Sequence, residues 1–523
     1  MDRRTLLAIG LCFGILFAWQ KFYMEPQEAH LRAQAQQQPT SGQTQQDEPV
    51  TQPQASPPPR PAHPSQSLTL STSTGPAILG DGNLAITNWT LNSYHVGLST
   101  STPPVDLYSV TRRPGEVELA FDDPRFSYLD GIQGTLSSVP GGAAWAYEDS
   151  NIRIQRTVTA SPGRPYLDVR INVEFKKSHP SYAFLSLLMQ SQEKDPEARD
   201  RQLLYWSDNS VSREPTKETG KLKEVMTPVK YIGATNRYFV MALLDQSTLL
   251  PRGLFQPVAP YENRMSLVYP VAGNSISIPV RVFFGPKDLA LLRSVDPKLD
   301  QTVDFGWFTL FAYPILKLLN WLDGFTRNYG IAIILLTIFL RVLTYPLTYK
   351  SMKSMKEMAK IQPQLQRVRE KYKDDKEALN REMLALMRSH GYNPMSGCLP
   401  MIIQIPVFFA LYRVLYSAIE LYHAPFYFWI HDLSSRDPYY ITPGLLCVAM
   451  FVQQKLTPNT ATDPAQAKMM QFMPLMFGLF MIALPSGLTL YYLVNTLTGI
   501  VQQLILNKKL NITPGAAVPA RAG

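Results

Sequence analysis

Residues 330–349 read Gly-Ile-Ala-Ile-Ile-Leu-Leu-Thr-Ile-Phe-Leu-Arg-Val-Leu-Thr-Tyr-Pro-Leu-Thr-Tyr. A helix needs about 20 apolar residues to cross a hydrocarbon layer of roughly 30 Å, and this stretch supplies them. Its one formal charge, Arg341, lies near the middle, where insertion into lipid costs about 2.5–3.5 kcal/mol. A charge at that depth is expected to face a bundle interior or a water-filled cavity. At about 100° per residue, Thr337, Arg341, Thr344 and Thr348 share one face. Escape along the helix to the cytoplasmic headgroups at Lys350 would span ~14 Å, too far for one side chain.

Further apolar stretches follow at 399–422, 440–456, 469–484 and 488–506. Another precedes at 5–23, behind Arg3 and Arg4. No small-x-small cleavage site follows that first stretch, and Leu11 before Cys12 spoils a lipoprotein box, so 1–24 reads as an uncleaved signal anchor. The expectation is a polytopic α-helical membrane protein with six transmembrane helices. A seventh candidate, 305–325, is interrupted by Lys317, Asn320 and Asp323, and its Trp307 and Trp321 suit an interface. If it crossed, the basic loop 350–398 would lie outside, against the rule that Lys and Arg stay in the cytoplasm. Residues 301–329 are therefore expected to lie flat on the periplasmic surface as an amphipathic helix. The fifth span has about 16 residues, short enough to thin the bilayer locally.

The charge distribution agrees. The chain has 523 residues, with 50 Lys and Arg against 41 Asp and Glu. Residues 306–523 hold 21 basic against 11 acidic residues, so the excess lives there, and eleven of those basic residues fall between Lys350 and Arg388. Flanked by apolar runs, such a cluster points to a membrane surface before a nucleic acid, and no RNA-binding motif supports dedicated nucleic-acid binding. Both termini, 350–398 and 457–468 are placed in the cytoplasm; the domain at 67–300, the loop 423–439 and the turn 485–487 are placed in the periplasm.

Between anchor and spans, 25–66 is a Gln- and Pro-rich linker. From 67 to about 285 the period becomes two, most clearly where Leu167, Val169, Ile171, Val173 and Phe175 alternate with Asp168, Arg170, Asn172 and Glu174. Residues 116–121 and 275–284 read similarly, so an all-β sandwich is expected, closed by a short helix at 286–295 with Pro286 in its first turn.

No HExxH, GxSxG, P-loop, dinucleotide-type glycine run or CxxC pair is present, which argues against an enzyme. Cys12, Cys398 and Cys447 each lie in or beside an apolar run and build neither a disulfide framework nor a metal cluster. His423 and His431 sit in an aromatic periplasmic loop and read as interfacial. Gln404 in the third span and Tyr492, Asn495 and Gln502 in the last could complete a polar lining around Arg341. Arg413 points away from Gln404, toward Glu420 or the outer surface. The segment 350–391 reads as a two-helix hairpin broken near 373–376, with Met352, Met355, Met358 and Ile361 against a basic face that includes Lys353, Lys356, Lys360, Arg367 and Arg369. Its methionines suit either the hairpin's own seam or varied hydrophobic clients, and its basic face suits ribosome or anionic lipid.

Four stretches resemble the YidC membrane insertase family of Gram-negative inner membranes. They are 337–346, 393–412 with Gly-Cys-Leu-Pro and Gln-Ile-Pro, 428–440, and 472–495 with Pro-Ser-Gly-Leu-Thr-Leu-Tyr-Tyr. The resemblance implies a periplasmic β-supersandwich and, at 330–507, a five-helix insertase core around a hydrophilic groove open to cytoplasm and lipid. It puts the groove arginine at Arg341, the threonine of the same helix at Thr337, the tyrosine of the last helix at Tyr492 and the polar third-helix position at Gln404. Thr344 and Asn495 join them as candidate client-binding residues. Two departures stand out: Arg413 replaces an uncharged residue, and the tail 508–523 carries only Lys508, Lys509 and Arg521. The implied function is membrane protein insertion and chaperoning, alone or with the Sec translocon, for nascent membrane proteins delivered by the ribosome, with no cofactor. The rival reading is a secondary transporter of an anionic solute that uses Arg341, against which stands the lack of an inverted repeat.

Overall fold

The computed structural model describes residues 66–80, 86–99, 101–112, 117–191, 200–215, 221–372, 375–389, 395–457 and 464–510. The expected anchor at 1–24, the linker up to residue 65 and the tail beyond Leu510 lie outside them.

From Ser67 to Pro286 the described chain is built on strands. In the strand Tyr166–Phe175, Leu167, Ile171, Val173 and Phe175 are buried while Arg170 and Glu174 are exposed, the alternation that a half-wet strand requires. It belongs to a nine-stranded antiparallel sheet in the order Ser210–Pro215, Gln202–Ser207, Tyr231–Thr235, Phe239–Asp245, Ser275–Pro286, Tyr166–Phe175, Ile152–Ala160, Gly142–Glu148, Thr135–Val139. A five-stranded sheet, in the order Lys223–Val225, Arg252–Ala259, Glu262–Pro270, Tyr182–Gln190, Val117–Phe121, supplies the second large layer. Residues of both sheets share one core, in which Phe121, Phe126 and Phe175 meet edge to face with ring centroids 5.4–5.5 Å apart.

The nine-stranded sheet is also covered on its outer face. Leu204, Trp206, Tyr231, Val240 and Phe283 pack against Leu292 and Val295 of helix α1 (Leu289–Val295) and against Leu299. This helix starts three residues later than the sequence suggests. Pro286 ends a strand, and Asp288 caps the helix by accepting from the Leu291 N–H at 2.7 Å, so no proline occupies the first turn.

Seven helices follow: α2 (Thr309–Thr326), α3 (Tyr329–Lys371), α4 (Lys376–Ser389), α5 (Met395–Ser417), α6 (Ile441–Leu456), α7 (Pro464–Met481) and α8 (Ser486–Lys509). Within α3, Tyr329–Ser354 is the one described helix long and apolar enough to cross a membrane; Ile441–Leu456 and Phe472–Met481 are shorter apolar helices. One face of α3 buries Ala332, Ile333, Leu336 and Thr337, while Leu335, Ile338, Phe339, Val342 and Leu343 are exposed on the other. The helix α2 buries Ala312, Ile315, Leu316 and Leu319 and exposes Leu310, Phe311, Trp321 and Phe325. Rather than stopping at Tyr349, α3 runs unbroken into the first arm of the hairpin, whose seam joins Ile361 and Leu365 to Met383 and Leu386 of α4.

The connector from α5 to α6 clasps one end of the bundle. Ser486 donates from its N–H to the Ser435 carbonyl and from its hydroxyl to the Asp432 carbonyl, both at 2.7 Å, and Gly487 N–H donates to the Leu433 carbonyl at 2.9 Å. A Cβ at Gly330 would overlap the Phe426 ring, so only glycine lets α3 start there. Asp437 accepts from the N–H groups of Tyr439 (3.0 Å) and Thr442 (2.7 Å), from the Thr442 hydroxyl and from the Trp429 indole (3.2 Å). Burial works to raise its carboxyl, but these donors hold it below the ordinary aspartate value. Its stabilisation is therefore complete above the unfolded value near ~4 and is lost as pH falls through the lower folded value. The difference in Tm between wild type and Asp437→Asn is expected to shrink as the buffer is taken from pH 6 to pH 3.

The same connector ties α5 to the β domain. Ile419 lies in the β-sandwich core, and the Tyr422 hydroxyl donates to the His95 carbonyl at 2.8 Å while its ring packs on Tyr238 and Phe239. Arg237 stacks 3.8 Å above the Tyr416 ring and donates from Nε to the Tyr416 carbonyl at 2.6 Å; the Tyr416 hydroxyl donates to Asp200 at 2.9 Å. The stretch expected as one span at 399–422 thus ends at Ser417, and the last residues belong to this joint.

Candidate functional site

Arg341 sits on the half-buried side of α3. Its Nε donates to the Asn495 side-chain oxygen and its Nη2 to the Asn495 carbonyl, each at 2.7 Å. Gln502, two turns further along α8, donates back to the Arg341 carbonyl at 3.0 Å. Among the described residues no carboxylate pairs with Arg341. A guanidinium has five N–H donors, so the charge is fixed in place by neutral partners with donors to spare. Space for it comes from Gly499, where a Cβ would stand 2.9 Å from Arg341 Nη2 and 2.7 Å from Gln453 Nε2. Gly499→Leu is expected to displace the guanidinium from Asn495. Insertion assays should then show a loss like that of Asn495→Ala and smaller than that of Arg341→Ala, because the charge remains, while far-UV circular dichroism stays unchanged.

A second polar link crosses from α5 to α8, where Gln404 Nε2 donates to the Tyr491 hydroxyl at 3.0 Å. Tyr492, the tyrosine that the resemblance singles out, packs its ring between Phe408 and Phe477 at 5.2 and 5.0 Å. Adjacent residues on a helix point about 100° apart, so one of the pair faces Gln404 and the other an aromatic cluster. Nothing in the Tyr-Tyr dipeptide itself tells which. Thr337 is fully buried and its hydroxyl donates to the Ile333 carbonyl at 2.6 Å. Thr344 and Thr348 likewise donate to carbonyls four residues back, at 2.9 and 3.1 Å. The structure therefore brings Arg341, Asn495 and Gln502 together and links Gln404 to Tyr491. The three threonines spend their hydrogens on their own helix.

Arg413 forms no ion pair with Glu420 among the described residues. Glu420 accepts from the Asn320 amide at 2.9 Å. The charge of Arg413 instead reaches Asp304, between the β domain and α2. Burial pushes that carboxyl up, but Arg213 and then Arg413 hold it below the ordinary value. In the hairpin, Lys353 and Arg367 are exposed and Arg369 is half-buried, while the side chains of Lys356 and Lys360 lie outside the described residues.

Comparison with known proteins gives the context. The family described as 60Kd inner membrane protein matches residues 321–513, and the YidC periplasmic domain family matches 144–318. A membrane protein insertase YidC from Geotalea uraniireducens is 35% identical, over 98% of this chain and 100% of that protein. Another from Syntrophus aciditrophicus is 33% identical, over 97% of this chain and 100% of its own length. A solved YidC insertase structure aligns with 84% of this chain and 92% of that one at 18% identity and a TM-score of 0.37. Identity at this level across nearly the whole of both proteins means that the chain belongs to the YidC membrane protein insertase family, with its periplasmic β-sandwich domain and its helical membrane part.

Proposed function

We propose that this protein inserts and helps to fold proteins of the bacterial inner membrane, alone or together with the Sec translocon. Client segments arrive from the cytoplasm, their polar flanks shelter along the strip formed by Arg341, Asn495, Gln404 and Thr344, and their apolar parts leave sideways into lipid. Thr337 and Tyr492 shape its floor from α3 and α8. The observation that carries this reading is a guanidinium held at mid-span by Asn495 with, among the described residues, no carboxylate paired to it. A site that stays cationic and only partly covered can take up a transient acidic guest, which a neutralised one cannot. The energy comes from the client's own apolar transfer, about 0.8 kcal/mol per CH₂ buried in lipid, and no nucleotide is consumed.

The exposed apolar residues of α3, α5, α6, α7 and α8, including Phe339, Ile405, Val448, Leu479 and Val501, support five membrane crossings in the helical part. With the anchor at 1–24 this makes six, both termini lying in the cytoplasm and 67–300 in the periplasm. The interfacial helix at 301–329 and the tail 508–523 complete the organisation. The hairpin 350–391 offers Lys353, Lys356, Lys360, Arg367 and Arg369 to ribosome or anionic lipid. Replacing Lys353 and Arg367, the exposed two, by Gln is expected to weaken ribosome co-sedimentation while Tm stays within ~2 °C, because exposed charges contribute little to stability.

Purified protein in proteoliposomes should confer protease protection on a small client with one or two apolar segments, translated in the same reaction. Protection no better than in empty liposomes overturns the proposal. The transporter reading gains nothing from the relatives reported above, which are named insertases.

A further inference from the structure

Among the described residues, nine other than glycine take a left-handed backbone, and three of them, His423, Phe428 and Tyr440, fall in the connector between α5 and α6. Phe428 has φ 61° and Tyr440 φ 56°, conformations that cost a bulky side chain energy and persist only where surrounding bonds enforce them. Those bonds are present. Around Phe428 the Phe426 N–H donates to the Ile430 carbonyl at 3.0 Å and the Ile430 N–H to the Tyr427 carbonyl at 3.4 Å, and around Tyr440 the Asp437 carboxylate holds both Tyr439 and Thr442.

The enforced backbone turns rings outward. Phe428, 83% exposed, is the most exposed large hydrophobic residue described, and Tyr427, Tyr439 and Tyr440 are exposed beside it. Both carboxylates of the segment, Asp432 and Asp437, are buried, whereas Arg436 and His431 are exposed. The surface therefore presents four aromatic rings beside one guanidinium, Arg436, without an exposed acid. It continues directly into the apolar face of α6, where Ile441, Leu445, Val448 and Val452 are exposed at helical spacing. Amphipathic rings with a nearby arginine match the boundary between phosphate headgroups and acyl chains.

We propose that residues 425–440 are a membrane-surface anchor, with Phe428 and Tyr440 seated at the acyl boundary of the outer leaflet and Arg436 on lipid phosphate. The anchor fixes the height at which the clasp on Ser486 and Gly487 sits in the bilayer. It rests on the reading that α6 spans the membrane.

The test places the photo-reactive amino acid p-benzoylphenylalanine, one site at a time, at Phe428, Val448 and Trp429 of the full-length protein in cell membranes. Phe428 and Val448 are expected to give phospholipid adducts, and Trp429, bonded to Asp437, adducts within the protein. Lipid adducts at Val448 with protein-only adducts, or none, at Phe428 overturn the anchor and leave the span standing. No lipid adduct at either overturns both. A second measurement uses Phe428→Gly, which relieves the backbone. Its Tm should rise by a few degrees over wild type in detergent and by less in phosphatidylethanolamine–phosphatidylglycerol vesicles, where the lost ring offsets the gain. Equal gains in both media contradict the proposal.

Discussion

Arg341→Ala is expected to cut insertion of a client with an acidic translocated tail by tenfold or more, and to leave the same client with a neutral tail nearly untouched. At 4 Å and an effective dielectric near 20, a guanidinium and a carboxylate attract by up to ~4 kcal/mol before desolvation, and ~1.4 kcal/mol is already tenfold. The deficit should grow with each Asp or Glu added to the tail, because neutral tails never used the charge. Arg341→Lys keeps the charge but cannot reproduce two bonds to Asn495 from a rigid fork, so its loss should fall between wild type and Ala. Asn495→Ala frees the guanidinium without removing it and should cost less than Arg341→Ala. The readout is protease protection at equal protein abundance. Losses independent of the tail, or Lys failing as badly as Ala, contradict the electrostatic role.

The second large effect concerns the joint between the β domain and α5. Ile419 is 2% exposed within the β-sandwich core, and removing such a side chain costs about 2–5 kcal/mol. Ile419→Ala combined with Tyr422→Ala is expected to lower the Tm of the intact protein by more than ~5 °C and to expose the segment between α1 and α2, around Asp304, to limited proteolysis. Unchanged Tm and unchanged cleavage contradict a structural joint. The polar strip uses no β-domain residue, so residues 67–285 are expected to be largely dispensable for insertion. A deletion that leaves Ile419 and Tyr422 bare tests this unfairly, since both would meet water; it needs polar residues at both positions.

The long apolar helix at the start of α3 was legible because its run of about 20 apolar residues has the length that crosses a bilayer, and the half-wet strand at 166–175 because its period is two. The strands 182–190, 231–235 and 239–245 carry little alternation, since they are buried on both faces. The end of α3 was not legible from hydropathy alone: the helix continues where the sequence changes from apolar to basic, because backbone hydrogen bonding does not register that change. At the site, the shared face of Thr337, Arg341 and Thr344 follows from helical geometry. That Asn495 grips Arg341, that Gly499 makes room for it and that Tyr491 meets Gln404 all depend on the rotation of α8 against α3 and α5, which local sequence does not fix. Arg413 shows the same limit. Its stripe pointed to Glu420 or the outer surface; among the described residues it makes no ion pair with Glu420, and Asp304, a carboxylate that its charge helps to hold ionised, lies more than a hundred residues earlier.

Site-specific photo-cross-linking to ribosome-bound nascent chains of a small membrane protein shows whether clients pass along the Arg341–Asn495 strip. With the probe at Thr344 or Gln404, strong adducts are expected to nascent chains whose first apolar segment has just left the ribosome, and weak ones at Val448 on α6. Adducts of equal strength at all three sites, or adducts at Val448 alone, would contradict that route.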